Sequence, residues 1–147
     1  MRIASLPSCI GHLFAIPLVL TACSQQTPDS FITIADARQH PAIVIDIGDA
    51  GDSVGDLLVF EQPLLDKQMR SIGTNSGSCI RTRIGQSFQC QWTLVMDDGS
   101  IQVAGREYDE GSSVLSIIGG TGKYAGIKGE MESTNNNDGT FTQVLRY

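Results

Sequence analysis

From Phe31 to the C-terminus, no window of about 11 residues repeats its apolar positions at helical spacing. Short β-type runs take the place of helices, cut by clusters of Gly, Asp and Asn. The runs are Phe31–Ala35, Ala42–Ile47, Gly55–Phe60, Met69–Thr74, Ser78–Arg83, Phe88–Val95, Ser100–Ala104, Val114–Ile118, Ile127–Glu132 and Phe141–Arg146. The clearest turn is Asp97-Asp98-Gly99, because Asp-Gly suits a two-residue hairpin. Asn135 to Gly139 is a second. So many short strands in a chain of 147 residues leave edges that would pair with other chains, and closing the sheet into a barrel removes them. The expectation is an all-β fold, a small closed antiparallel barrel over residues 31–147.

The segment before this domain has a different character. Ile10 to Leu20 is apolar apart from Gly11 and His12, too short for a membrane span, and ends in Leu20-Thr21-Ala22-Cys23. A Leu, two small residues and a Cys after a hydrophobic run look like a bacterial lipobox. Residues 1–22 then form a lipoprotein signal peptide, Cys23 carries the lipid, and residues 23–30 are the lipidated Cys and its tether. This places the protein in the bacterial cell envelope, held to a membrane through Cys23 without a spanning helix.

Charge and cysteines narrow the function. With 16 acidic and 10 basic residues the net charge is −6, which argues against a duplex nucleic-acid binder. Cys79 and Cys90 lie five residues either side of Ile84-Gly85, so a hairpin turning there sets them opposite each other. Directly opposite residues are close enough for a disulfide, which export favours. Two buried or functional thiols are the alternative. The same hairpin sets Arg81 against Phe88, where the guanidinium either sits at the surface, as such an Arg more often does, or pairs with an anionic ligand at a cavity mouth. Phe88, Cys90, Trp92, Leu94 and Met96 share one face, as either a packed barrel core or the lining of a ligand cavity. Gly120-Thr121-Gly122-Lys123 lacks the first Gly and the following helix of a phosphate loop, and reads as a tight barrel corner. Asp46, Asp49, Asp52 and Asp56 lack calcium-loop spacing and read as a solvated turn. No metal site is expected, since His40 is the one histidine outside the signal segment.

Four blocks resemble one family, in order and spacing: Asp52 to Phe60, Ile72 to Cys79, Ser100 to Gly105, and Leu115 to Glu130. They are similar to the strands and the Gly-rich signature shared by allene oxide cyclases and dirigent proteins. The resemblance implies an eight-stranded antiparallel barrel with a hydrophobic cavity, no cofactor, and a homotrimer in many relatives. It implies that Pro41, Gln62, Cys79 and the rim residue Tyr108 line that cavity, beside Arg81, Phe88 and Trp92. The family's first-strand Glu falls at Ile32, where no carboxylate stands. The function expected is binding of a small hydrophobic molecule, with orientation or cyclisation of it by shape. The other class that fits is a protein-binding or structural envelope lipoprotein, such as an inhibitor of a cell-wall enzyme.

Overall fold

The alternation becomes nine strands in the computed structural model, which describes residues 29–147. They are β1 (Ser30–Asp36), β2 (Ile43–Ile45), β3 (Leu57–Leu65), β4 (Ser71–Arg83), β5 (Ser87–Met96), β6 (Gly99–Tyr108), β7 (Ser112–Gly120), β8 (Gly129–Asn135) and β9 (Thr140–Arg146). One turn of 3-10 helix, Gly122–Tyr124, separates β7 from β8. The signal segment, Cys23 and the tether up to Pro28 lie outside the described residues.

Eight of these strands close a ring. The order runs β1-β9-β8-β7-β6-β5-β4-β3, every pair antiparallel, and β3 returns to β1 through Ile34 opposite Leu65 and Ala35 opposite Leu64. This is the expected eight-stranded barrel. The ninth strand, β2, lies against the other end of β3, with Ile43 opposite Val59 and Ile45 opposite Leu57. The free edge of β3 is thus shared, its C-terminal end taken by β1 and its N-terminal end by β2.

Several strand ends shift from the sequence reading, and two runs merge. Met69–Thr74 and Ser78–Arg83 are not two strands, because Ser71 to Arg83 runs on as the single strand β4. Asn75-Ser76-Gly77 separates the two runs in the sequence, yet Gly77 lies directly opposite Trp92 in the ladder. A Cβ built there would sit 2.3 Å from the Trp92 Cβ, so the Gly is a gap into which the indole packs. Met69 falls in the preceding turn with φ of +61°.

The barrel interior is divided along its axis. At one end Leu64, Leu94, Ile101, Val103, Leu115, Met131 and Leu145 are essentially inaccessible and fill the bore. The 3-10 turn caps this end: Tyr124 is buried, and its hydroxyl donates to the Met96 sulfur at 3.6 Å. The turn fits because Gly122, at φ of +59°, passes where a Cβ would meet the Asp98 carbonyl at 2.3 Å. Lys123, the residue of the phosphate-loop look-alike, is instead exposed and ion-paired to Asp98 at 3.1 Å. The chain enters at this closed end too, where the Tyr147 amide donates to the Asp29 carbonyl. The other end carries the loops 37–42, 46–56, 84–86, 109–111 and 136–139.

Candidate functional site

The loop-bearing end is hollow. A cavity of about 510 Å³ opens there, within the range that holds a small organic ligand. Period-2 alternation decides who faces it. On β5, Phe88, Cys90 and Trp92 point in, while Leu94 continues into the filled half. The face that the sequence left as core or cavity is therefore both, divided along the barrel axis. Phe60 meets Trp92 edge-on with ring centroids 6.1 Å apart, and Phe141 and Tyr108 add further aromatic surface.

Among the residues expected at the cavity, Pro41, Gln62, Cys79, Phe88, Trp92 and Tyr108 line it. Cys79 and Cys90 are opposite in register and joined, with Cα atoms 4.0 Å apart, so the disulfide is part of the wall. Arg81 is not among the lining residues. It faces Phe88 as the hairpin arithmetic requires and lies 3.6 Å over that ring. Its guanidinium already faces two carboxylates, however: Asp52 is an ion-pair neighbour 2.7 Å from Nε, and Asp109 accepts from Nη1 at 2.6 Å. The expectation that Arg81 awaits an anionic ligand is corrected by these two carboxylates. Arg81 instead clasps two rim loops together.

The acidic loop is also more than a solvated turn. Asp56 is buried and accepts from the Ile47 and Ser53 amides and the Ser53 hydroxyl. The two amides hold its carboxyl below the ordinary range, and burial opposes them. Among the described residues no group of three His, Cys, Asp or Glu gathers as a metal site would require.

A polar band crosses the cavity wall. Thr33 lies opposite Gln143, Gln143 opposite Ser133, and Ser133 opposite Ser113. All four are buried, and Thr33 donates to Gln143 Oε1 at 2.9 Å. The band ends at Glu107 of β6, whose Oε1 accepts from the Ser133 hydroxyl at 2.8 Å. Burial pushes the Glu107 carboxyl up to about 7, with the Ser133 and Ser113 hydroxyls pulling the other way. Such a group is close to half-ionised at neutral pH and can give or take a proton.

Glu107 went unrecognised in the sequence because Ser100–Ala104 stops short of it. The signal was there. Ile101, Val103, Gly105 and Glu107 continue one alternation, and the paired strand runs to Tyr108. Ile32 is corrected in the same terms. It shares the parity of Ile34, opposite to the buried Thr33 and the cavity-lining Ala35, so its side chain leaves the barrel on the outer face. The absence of a carboxylate at Ile32 therefore says nothing about the cavity, which takes its carboxyl from β6.

Three buried side-chain atoms on this wall have no hydrogen-bond partner: Asn75 Oδ1, Trp92 Nε1 and Glu107 Oε2. Unpaired buried polar atoms are rare, and these three cluster around one cavity.

The model of the allene oxide cyclase barrel like domain matches residues 35–144. The chain belongs to this family. Solved structures carry the same barrel. A pyocyanin demethylase superposes with TM-score 0.70 at 23% identity, covering 80% of this chain and 98% of that one. A pterocarpan synthase dirigent protein does so with TM-score 0.59 at 12% identity, covering 84% and 85%. An exo-specific intermolecular Diels-Alderase does so with TM-score 0.60 at 16% identity, covering 83% and 100%. At these identities the likeness speaks for the fold. Among curated proteins, none matches the sequence. For this allene oxide cyclase-like barrel, the chemistry must therefore be argued from its own cavity.

Proposed function

We propose that the protein is a lipid-anchored envelope barrel that takes one small, largely apolar molecule into its open end and holds it in a single conformation beside Glu107. The observation that carries this is the half-filled bore: an apolar, aromatic cavity of about 510 Å³ with three unpaired buried polar atoms in its wall. Fixing a flexible molecule in a reactive shape removes several kcal/mol of barrier without a cofactor. A carboxyl poised near neutrality adds proton transfer to that. The reading gains support from the same barrel in a named demethylase and a named Diels-Alderase.

The anchor sets an orientation. Cys23 precedes Asp29 by 29 − 23 = 6 residues, a reach of at most about 20 Å. Asp29 lies at the closed end, so the anchored barrel turns that end to the membrane and its mouth to the aqueous side. The second reading, a protein-binding lipoprotein, draws on one feature. Ile43, Val44 and Ile45 of β2 are all exposed, and β2 pairs with β3 alone.

The test is native mass spectrometry of the protein extracted from its own envelope. One organic molecule per chain, released by solvent, is expected. A bare chain mass alongside a stoichiometric protein partner would favour the second reading.

A further inference from the structure

The charges around the cavity are one-sided, and this bears on what it admits. The lining residues include the acids Glu107 and Asp109 and no Lys, Arg or His. The nearest guanidinium, Arg81, is spent on Asp52 and Asp109, and two carboxylates to one guanidinium leave that rim cluster at −1. Arg38, on the loop beside the mouth, is held by Asp36 at 2.7 Å.

Of the unpaired buried atoms that belong to lining residues, Asn75 Oδ1 and Glu107 Oε2 are acceptors and Trp92 Nε1 is a donor; the fourth, Arg81 Nε, lies outside the lining and 2.7 Å from Asp52. Asn75 and Trp92 are 3% and 5% exposed, so a guest reaches their unpaired atoms only where the lining side chains shift to admit it. The walls are aromatic faces, which attract cations. A carboxylate entering here would meet like charge and lose its hydration with no cation to receive it. An ammonium or protonated ring nitrogen would find an unpaired carboxylate oxygen, an amide oxygen and π-faces.

We propose that the cavity selects a cationic nitrogen compound with an aromatic body and rejects carboxylate-bearing lipids. The nitrogen donates to Glu107 Oε2 and Asn75 Oδ1, the rings pack against Phe60, Phe88 and Trp92, and an acceptor on the same molecule takes the Trp92 N–H. This rests on the reading of the cavity as a ligand site and adds the ligand's charge to it.

The test compares three probes of one size by isothermal titration calorimetry on the full chain at about pH 8: 1-naphthylmethylamine, 1-naphthalenemethanol and 1-naphthoate. The expected order is amine, then alcohol, then carboxylate, with the amine at least about ten-fold tighter than the carboxylate, the scale of one desolvated cation–π or ion pair. In Glu107→Gln the amine's advantage over the alcohol should collapse toward one. The ranking in the unaltered chain decides the matter even where that variant folds poorly. Equal or tighter binding of naphthoate would overturn the charge assignment and leave the ligand site standing. No binding of any probe would overturn both.

Discussion

Glu107→Gln should make the protein more stable at high pH and leave it unchanged at low pH. The free carboxyl titrates near 4.5, and the buried one is pushed up to about 7. Below pH 4.5 both the folded and the unfolded chain hold the proton, and ionisation exacts no penalty. Between 4.5 and about 7 the unfolded carboxyl ionises while the folded one stays protonated. The folded state then binds more protons, so stability falls as the pH rises. Above about 7 the loss is complete. At about 1.4 kcal/mol per pH unit the interval amounts to about 3 kcal/mol, trimmed toward 2 because the residue is partly exposed. Gln removes the charge and keeps an oxygen for the Ser133 hydroxyl. Thermal melts followed by circular dichroism should show the variant melting roughly 10 °C higher at pH 8 and level with the parent at pH 4.5. A difference independent of pH, or a variant less stable at pH 8, would refute the claim that the cavity holds a desolvated carboxyl. Such a loss of stability fits the proposed role of Glu107 beside a ligand, since a residue that only packed there would be apolar.

Other expectations follow from particular contacts. Thiol counting on denatured, unreduced protein should find neither Cys79 nor Cys90 free, and Cys90→Ala should cost roughly 3 kcal/mol in denaturant unfolding for a separation of 11 residues. Gly77→Val should cost at least about 3 kcal/mol, because the new side chain must displace Trp92, while Gly85→Ala in the neighbouring turn should cost about 1 kcal/mol through its φ of +63° alone. Cys23→Ser should leave full-length precursor on a gel, as should globomycin. Normal processing of the Ser variant to a soluble protein would reject the lipid anchor.

What could be read from the sequence was whatever depends on neighbours along the chain. The Asp97-Asp98 turn follows from one hairpin, the opposition of Cys79 and Cys90 and the facing of Arg81 by Phe88 from the arithmetic of the hairpin before it, and all three are present. The inward face of β5 was visible for the same reason. What could not be read depends on groups brought together by closure. Asp52 and Asp109 lie 29 and 28 residues from Arg81, and their capture of it turns a would-be ligand contact into a rim clasp. The hydroxyls that hold Glu107, those of Ser113 and Ser133, come from two other strands. Gly105 and Arg106 masked that residue by interrupting the apolar run that marks β6. At Asn75 to Gly77, turn chemistry was outvoted by a packing need of Trp92, a long-range demand that local propensity does not contain.

The central claim is that the open half of the barrel holds a guest. Trp92 is the only tryptophan, it lines the cavity, and its N–H is unpaired, so its emission reports on that space alone. Titrating the folded protein with small cationic and neutral aromatic molecules should give a saturable change in Trp92 emission at one molecule per chain, reversed by a competing non-fluorescent ligand. Emission that stays unchanged across the whole series, while the barrel remains folded by circular dichroism, would contradict the account.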